Sequence, residues 1–371
     1  MIPYGKQFID EEDIQEVIKV LESDFITQGP KVEEFEEKLA SYCGAKYAVA
    51  FNSGTSALYC AYKALDLKEE DEFITTPITF AATVSAGVLN GLKPLFADVE
   101  SDTGNIDVNI IENHITKKTR LLVPVHYAGH TVDMETVWNI AQKYGLYVIE
   151  DACHALGSSY KGYKTGSCKF SHMTIFSFHP VKHITTGEGG AVLTNDENLY
   201  RKLLQCRNHG IVKGEDWLYY VEYPSFNFRI TDIQCALGIS QMKKLDKFID
   251  RRRYIAKLYY EKLKDHPYFD LPVEKLYTYH SYHLFPIRVK NPEKRRDIFR
   301  ILRKKGIGVQ VHYIPVYLHP FFKNAGYKEG LCPKAEDFYS REISIPIYPS
   351  LTEEDQEKII QILWEMVDEI S

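Results

Sequence analysis

The sequence predicts an α/β fold, with a large domain built on a mostly parallel sheet and a smaller α+β domain after it. Continuous apolar runs alternate with helical segments along most of the 371-residue chain, which is typical of parallel strands covered by helices on both faces. After about residue 245, long charged helical segments dominate. We therefore expect a large domain over residues 1–245, whose first 25 residues could pack on the small domain, and a small domain over residues 246–371.

The large domain begins with a predicted helix over residues 10–22, where apolar side chains recur at helical spacing and Asp10 is placed to cap the first turn. The segment 47–65 has the pattern of a short apolar strand, a tight polar turn and a helix. Further apolar runs predict strands, and one amphipathic run between them predicts a helix. The strands cover 72–75, 93–99, 120–125, 146–151 and 173–178, and the helix covers 133–144.

The small domain shows fewer strands and longer helices. Its apolar periodicity predicts a long helix directly after the boundary and two further helices separated by short strands. The predicted helices cover 245–265, 295–306 and 352–370, and the predicted strands cover 283–289 and 308–313.

Composition argues against several classes of protein. The net charge of −6 disfavours a nucleic-acid partner, and the chain has no apolar run long enough to suggest a membrane helix. The N-terminal residues are acidic and lack the pattern of a signal peptide. Seven scattered cysteines without C-x-x-C spacing disfavour a disulfide framework or a structural zinc site, so the expected location is the cytoplasm.

The segment FSFHPVKHITTGEGG, which starts at residue 176, places Lys182 just after an apolar strand and before a cluster of glycines. His179 and His183 flank it at a spacing that could suit a metal, but Pro180 makes a regular helix there improbable, and no metal is expected. The lysine precedes the glycines, so a Walker-type phosphate loop is excluded. A surface lysine and a desolvated, nucleophilic lysine both remain open.

Two other strand ends carry polar groups. The turn NSGTSA contains Gly54, Thr55 and Ser56 between a strand and a helix, where free backbone N–H groups would suit a phosphate. The same residues would also serve a simple helix cap. Asp151 ends the apolar run LYVIED, with His154 three residues later, and could cap the following helix or face a cationic ligand atom.

Together these three features indicate one cofactor. A phosphate cradle, a carboxylate at a strand end and a nucleophilic lysine are what pyridoxal 5′-phosphate (PLP) requires. The carboxylate would keep the pyridine nitrogen protonated, and the lysine would bond to the aldehyde carbon.

Six strings in the chain, FNSGTSAL, TTPITFAAT, IEDACHALGS, FSFHPVKHITTGEGGAVLTND, RNHG and NFRITDIQCALG, resemble those of the DegT/DnrJ/EryC1/StrS sugar-nucleotide aminotransferases. The resemblance covers roughly residues 3–365. It implies the fold type I architecture of PLP-dependent transferases, which is aspartate aminotransferase-like and has a seven-stranded sheet in the large domain. It also implies PLP as the cofactor and a homodimer with shared active sites.

The resemblance implies a role for each matching residue. Lys182 matches the lysine that forms the Schiff base with the cofactor, Asp151 the acid at the pyridine nitrogen, and His154 the residue near the ring hydroxyl. The remaining matches are Gly54, Thr55, Ser56 and Ser177 at the phosphate, Phe80 stacked on the ring, Asn227 as a phosphate ligand supplied by the neighbouring subunit, and Tyr4, Gln28, His312 and Tyr313 at the sugar nucleotide.

Further strings, among them VHYAGHTVDM and GVQVHYIPVY, resemble the branch of the family that supplies pseudaminic acid biosynthesis. That branch implies transfer of an amino group from L-glutamate to C4 of a UDP-linked 4-keto-6-deoxy-N-acetylhexosamine. A related enzyme with another sugar or regiochemistry, such as the UDP-4-amino-4-deoxy-L-arabinose type, is the alternative. A cofactor-sensing regulator and a non-catalytic scaffold on the same fold are the rivals from other classes.

Overall fold

The computed structural model of the protein describes residues 1–370, with side chains up to residue 367. Amphipathic or buried helices account for a large part of it, and several begin at a side-chain cap. Asp10 and the N3 residue Asp13 form a capping box at the first helix, which confirms the predicted cap. The helices are α1 (Glu11–Leu21), α2 (Pro30–Cys43), α3 (Gly54–Ala64), α4 (Ala81–Leu89), α5 (Met134–Tyr144), α6 (Glu197–Arg207), α7 (Asp232–Met242), α8 (Leu245–Leu263), α9 (Arg295–Lys304), α10 (Pro320–Asn324), α11 (Pro333–Arg341) and α12 (Glu353–Ile370).

The strands are short and mostly buried. They are β1 (Tyr47–Phe51), β2 (Glu72–Thr75), β3 (Lys93–Phe96), β4 (Thr119–Val123), β5 (Tyr147–Asp151), β6 (Ser159–Tyr160), β7 (Tyr163–Lys164), β8 (Met173–Ser177), β9 (Gly190–Thr194), β10 (Ile211–Lys213), β11 (Tyr219–Val221), β12 (Phe269–Asp270), β13 (Thr278–Tyr279), β14 (Phe285–Val289) and β15 (Glu342–Ile345).

Seven strands form the central sheet in the order β1-β9-β8-β5-β4-β2-β3. Neighbouring strands pair in parallel except at β9, which runs antiparallel to both β1 and β8. Apolar clusters containing Phe73 and Phe176 bury the sheet beneath helices, as continuous apolar strands require. The prediction of a mostly parallel, seven-stranded sheet is confirmed.

A second, separate core lies in the C-terminal part of the chain. Strands β12, β14 and β15 form an antiparallel sheet, and residues of α8, α9 and α12 pack with it around Phe285 and Leu363. The predicted domain boundary, after residue 245, falls at the first residue of α8 and stays a prediction. The N-terminal segment reaches both parts, because Ile2 pairs with Ile307 and Asp13 of α1 accepts a 2.8 Å hydrogen bond from Gln241.

The strand predicted over 308–313 was wrong. Only Gln310 pairs there, in an isolated bridge with Ser344. The neighbouring backbone groups find other partners, since the His312 N–H donates to the Glu342 carboxylate and its carbonyl accepts from the Tyr127 hydroxyl. In the described part of the chain, no helix is both long and apolar enough to cross a membrane.

Candidate active site

The carboxyl ends of β5 and β8 and the start of α3 face the segment 308–313 across a cavity of about 590 Å³. This is where an open α/β sheet is expected to bind its ligand. Ten of the thirteen residues that the sequence predicted for the site line the cavity: Tyr4, Gly54, Thr55, Phe80, Asp151, His154, Ser177, Lys182, His312 and Tyr313.

One end of the cavity is formed by the N-terminus of α3. The cap is Ser53, whose hydroxyl accepts from the backbone N–H of Ser56 at 3.1 Å. The N–H groups of Gly54 and Thr55, the first two of the helix, have no protein partner among the described residues. Free N–H groups at a helix N-terminus attract an anion, and the helix dipole adds to that attraction.

The packing at this end is tight. A Cβ at position 54 would lie 3.0 Å from the Cβ of Ser177, at the end of β8. The absence of that Cβ in Gly54 therefore brings the Ser177 hydroxyl next to the free N–H groups. The turn forms a helix cap, as one of the two alternatives predicted, and its role as a phosphate site stays a prediction.

Ser56 differs from the prediction, because its side chain does not line the cavity. Its buried hydroxyl lies 2.7 Å from Oδ1 of Asn52 and completes the capping box with Ser53. Ser53 takes the place at the cavity wall instead. An N-cap serine is recognisable from sequence, but its spacing does not tell which of two serines turns outward.

Asp151 is the buried carboxylate of the cavity. Its Oδ2 accepts a 2.6 Å hydrogen bond from the Thr83 hydroxyl, and its Oδ1 accepts from the Cys153 N–H at 3.1 Å. These two neutral donors hold the carboxylate in place but do not compensate its negative charge. A cationic partner in the cavity would do so and is therefore favoured.

Lys182 lines the same cavity and has no ion pair among the described residues. Burial lowers the pKa of its ammonium, and the nearby Cys153 and Asp151 oppose that shift. A lysine amine that loses its proton more readily than usual is suited to nucleophilic attack and to proton transfer. The alternative of an ordinary surface lysine does not fit this environment.

His154 is held in one tautomer by its neighbours. Its Nδ1 accepts from the Ala128 N–H at 3.3 Å, and its Nε2 lies 3.1 Å from the Tyr313 hydroxyl. Burial drives the pKa of His154 well below its usual value, so the ring is neutral and Nε2 carries the proton. His154 and Tyr313 thus form a neutral hydrogen-bonding pair beside Asp151.

The remaining predicted wall residues are aromatic or imidazole rings. Phe80 is the N-cap residue of α4, lines the cavity and is 62% exposed. The Tyr4 ring lies 5.5 Å from that of His312, between centroids. Flat rings therefore form part of the cavity wall.

Two predicted residues lie away from the cavity lining. Gln28 is exposed just before α2. Asn227 is also exposed, where its Oδ1 accepts from the Arg229 N–H and its carbonyl accepts from the Asn52 side chain. Their predicted roles, one of them in a neighbouring subunit, stay predictions.

The two histidines around Lys182 do not share a site. His179 is exposed at the cavity, whereas His183 is buried with its Nε2 3.2 Å from the Ser281 carbonyl oxygen. Other cavity residues were missed by the sequence reasoning, notably Thr83, Glu188 and Gln310. Thr83 lies in the string TTPITFAAT, but nothing in the spacing indicated that its hydroxyl reaches Asp151.

Comparison with known families decides the class of the protein. The model of the DegT/DnrJ/EryC1/StrS aminotransferase family matches residues 7–364. The chain belongs to this family.

Named relatives and solved structures agree with the assignment. A UDP-4-amino-4,6-dideoxy-N-acetyl-beta-L-altrosamine transaminase of Campylobacter jejuni is 41% identical, covering 100% of this chain and 98% of its own. The structure of Helicobacter pylori PseC, an aminotransferase of pseudaminic acid biosynthesis, has a TM-score of 0.96 at 37% identity, covering 99% of each chain. A putative sugar aminotransferase of Streptococcus pneumoniae, Spr1654 in its PLP form, has a TM-score of 0.95 at 30% identity and covers 100% of this chain and 99% of its own.

The family member described here is a PLP-dependent aminotransferase, and its cavity fits that cofactor. The two free N–H groups of α3 suit a phosphate, the Asp151 carboxylate suits a protonated pyridine nitrogen, and the desolvated Lys182 suits an aldehyde carbon. All three kinds of group line one cavity, which is the arrangement that the sequence predicted.

Proposed function

We propose that this aminotransferase moves an amino group from L-glutamate to C4 of a UDP-linked 4-keto-6-deoxy-N-acetylhexosamine. The product would be UDP-4-amino-4,6-dideoxy-N-acetyl-β-L-altrosamine, for pseudaminic acid biosynthesis in the cytoplasm. The observation that carries the chemistry is Lys182, which faces the same cavity as Asp151 and the N-terminus of α3. The names of the Campylobacter and Helicobacter relatives support the sugar.

Each part of the cavity has one task in this proposal. The N–H groups of Gly54 and Thr55, with the Ser177 hydroxyl, bind the cofactor phosphate. Asp151 holds a proton on the pyridine nitrogen, and Thr83 and the Cys153 N–H keep its carboxylate oriented. Phe80 covers one face of the ring.

When bound, PLP supplies an electron-withdrawing ring that stabilises negative charge on the carbon next to the transferred nitrogen. The protein supplies the proton transfer. The Lys182 Nζ would remove a proton from the substrate carbon on one side of the transferred nitrogen and deliver it to the carbon on the other side of that nitrogen. Burial lowers the pKa of its ammonium, so the neutral amine is formed more readily than that of an ordinary lysine. In the second half of the reaction the same Nζ works in the reverse order.

The shape of the cavity supports a large acceptor. Its volume of about 590 Å³ exceeds what a cofactor alone needs, and Tyr4, His312 and Tyr313 form a wall on its far side. We assign these three residues to the sugar nucleotide, and Gln28 to its outer part. His154 would lie near the ring hydroxyl of the bound cofactor.

An exposed apolar surface supports the homodimer. The hairpin β10–β11 and the residues after it expose Trp217 by 82%, Tyr219 by 64% and Phe226 by 60%. Exposed aromatic groups on such a scale mark interaction surfaces. Asn227 adjoins this surface, so a second copy could carry it into the neighbouring cavity.

The substrate is tested with a panel of keto sugar nucleotides. The purified holoenzyme is incubated with L-glutamate and each sugar, and 2-oxoglutarate is measured. We expect turnover with the UDP-linked 4-keto-6-deoxy-N-acetylhexosamine. If that sugar is inert while the 4-keto-arabinose nucleotide or a 3-keto sugar is converted, the substrate assignment is wrong and the aminotransferase assignment stands.

The shared site is tested by mixing two inactive variants, Lys182→Ala and Asn227→Ala. If Asn227 acts in the partner's cavity, a mixed dimer contains one site with both Lys182 and Asn227, and activity reappears. If both residues act within one chain, every site in the mixture is damaged and the activity stays low. Each variant alone is the control.

A further inference from the structure

Three hydrogen bonds to the protein hold His312 in place. Its N–H donates to Oε2 of Glu342 at 2.6 Å, and its carbonyl accepts from the Tyr127 hydroxyl at 2.7 Å. Its Nδ1 lies 2.8 Å from the Ser344 Oγ. The imidazole therefore has a fixed position at the cavity wall, with one nitrogen engaged on the protein side.

The other nitrogen of His312 is available to a ligand. Nε2 has no hydrogen-bond partner among the described residues, and it is not shielded from solvent. Since the ring lines the cavity, Nε2 is the atom that a bound molecule would meet. Burial lowers the pKa of His312 to about 3, so the ring is neutral and Nε2 either donates or accepts.

A short chain of hydrogen bonds determines which ring nitrogen of His312 carries the proton. The buried Ser344 hydroxyl has two partners, Nδ1 of His312 and Oε1 of Glu342 at 2.6 Å. A hydroxyl has only one hydrogen to donate. It must therefore donate to one of the two partners and accept from the other.

Two consistent arrangements exist. With Glu342 ionised, Ser344 donates to Oε1 and accepts from Nδ1–H, which leaves a bare Nε2 that accepts in the cavity. With Glu342 protonated, its proton lies on Oε1, because Oε2 accepts from the His312 backbone. Ser344 then donates to Nδ1, and Nε2–H becomes a donor in the cavity.

We propose that Glu342 and Ser344 are positioning residues that set the tautomer of His312, and so decide whether it donates or accepts a hydrogen bond in the substrate cavity. This chain of hydrogen bonds from Glu342 through Ser344 to His312, the tautomer relay, requires no assumption about the substrate. The consequence for sugar binding rests on the proposed function, in which an oxygen of the sugar nucleotide meets Nε2–H.

The surroundings of Glu342 favour its neutral form. Burial raises the pKa of Glu342 to about 8, and the hydrogen bonds from Ser344 and His312 and the Arg295 guanidinium of α9 oppose the shift only in part. Arg288 faces Glu342 across β14 and β15, but its guanidinium is directed to the Ser101 carbonyl. Tyr127 adds no charge.

The groups that face His312 disfavour protonation of its ring to the imidazolium. Lys182 lies on the cavity side and disfavours an imidazolium, while Tyr4 packs against the ring. His154, also on the cavity side, is itself neutral. Near neutral pH the expected tautomer is therefore Nε2–H, and the change to the accepting form occurs as Glu342 ionises.

The test is the ¹⁵N spectrum of the histidine rings in the labelled holoenzyme without sugar, from pH 6.5 to 9.5. The His312 signals are assigned by their loss in His312→Gln. In the wild type we expect the proton to move from Nε2 to Nδ1 with a midpoint near pH 8. In Glu342→Gln the amide donates to Ser344 at every pH, so the ring should stay in the Nε2–H form.

Two variants separate the relay from a general structural effect. Ser344→Ala should abolish the transition, and Ser344→Thr, which keeps the hydroxyl, should retain it. The matched control is Glu150→Gln, another buried carboxylate that bonds to a histidine and a serine, at His126 and Ser171. It should leave the His312 transition unchanged.

The kinetic readout is KM for the keto sugar nucleotide as a function of pH. We expect KM of the wild type to rise by about tenfold from pH 7 to pH 9 with little change in kcat, and that rise to be absent in Glu342→Gln. A His312 transition that persists unchanged in Glu342→Gln or in Ser344→Ala would overturn the proposal. A relay seen by NMR without any effect on KM would instead overturn the assignment of Nε2 to the sugar.

Discussion

The two walls of the cavity are built in different ways. The sheet wall, formed by the ends of β5 and β8 and the start of α3, carries Asp151 and Lys182, and some of its polar contacts are local in sequence, such as the one from the Cys153 N–H to Asp151. The 308–313 wall carries neutral rings, and its contacts reach residues far along the chain, as from His312 to Ser344 and from Tyr313 to His154. The charged wall suits a common cofactor, and the neutral wall can vary with the substrate.

The largest expected effect is on the sheet wall. Lys182→Ala removes the amine that we assign to the cofactor bond and to proton transfer, and we expect turnover to fall on the order of 10⁴-fold. Cofactor absorbance in the protein fraction and 2-oxoglutarate formation are the measurements. Lys143→Ala, at an exposed lysine far from the cavity lining, is the control. Unchanged turnover in Lys182→Ala would overturn the assignment of Lys182 as the reacting amine.

Asp151→Asn should have the next largest effect. The amide keeps the size of the side chain but loses the negative charge that, in the proposed function, holds a proton on the pyridine nitrogen, and we expect kcat to fall on the order of 10²- to 10³-fold. Steady-state kinetics with L-glutamate measure this. Thr83→Val removes only one of the two hydrogen bonds to Asp151 and should cost far less. Equal losses in the two variants would mean that orientation, and not charge, is what Asp151 contributes.

On the 308–313 wall we expect a smaller effect of a different kind. Tyr313→Phe removes the partner of the His154 Nε2 and one hydroxyl of the wall, and we expect about a fivefold to tenfold loss in kcat/KM. The loss should lie mainly in KM for the sugar nucleotide, with the half-reaction on L-glutamate preserved. An equal loss in both half-reactions would contradict the assignment of the 308–313 wall to the sugar nucleotide.

Three buried histidines, one of which lines the cavity, should make the stability of the fold depend on pH in the acid range. Burial holds the pKa values of His154, His183 and His283 well below their usual value. The unfolded chain binds these protons near pH 6.5 and the folded chain does not, so stability is present above pH 6.5 and is lost as pH falls below it. The expected loss is about 1.4 kcal/mol per pH unit for each histidine.

Urea unfolding at pH 7.5, 6.5 and 5.5 measures this dependence. His283→Leu should reduce the slope by the equivalent of one proton, because its ring is buried and packs 4.4 Å from His154, between centroids. An exposed histidine, changed in His179→Leu, is the control and should leave the slope unchanged. A slope that is the same in wild type and His283→Leu would contradict the assignment of a neutral, buried ring.

The sequence predicted the sheet wall well and the other wall poorly. Lys182, Asp151 and the NSGTSA turn could be recognised because strand ends, glycines and capping serines leave local patterns. The sugar-side residues came from the family resemblance. The strand predicted over 308–313 failed, since its backbone partners include the Glu342 side chain. Contacts such as Thr83 with Asp151 depend on the packing of distant elements, which spacing alone does not encode.

The glycines after Lys182 differ in which side chains could replace them. A Cβ at Gly190 would lie 2.6 Å from the Cα of Gly54 and from the Ser53 carbonyl oxygen, both backbone atoms that cannot move aside. Gly187 has open space around it, and only its positive φ of 79° restricts it. In a saturation library selected for cofactor retention, position 190 should return glycine alone, while position 187 should also return asparagine. The missing side chain of Gly190 thus allows β9 to pack directly against the start of α3, at the end of the cavity that we assign to the phosphate.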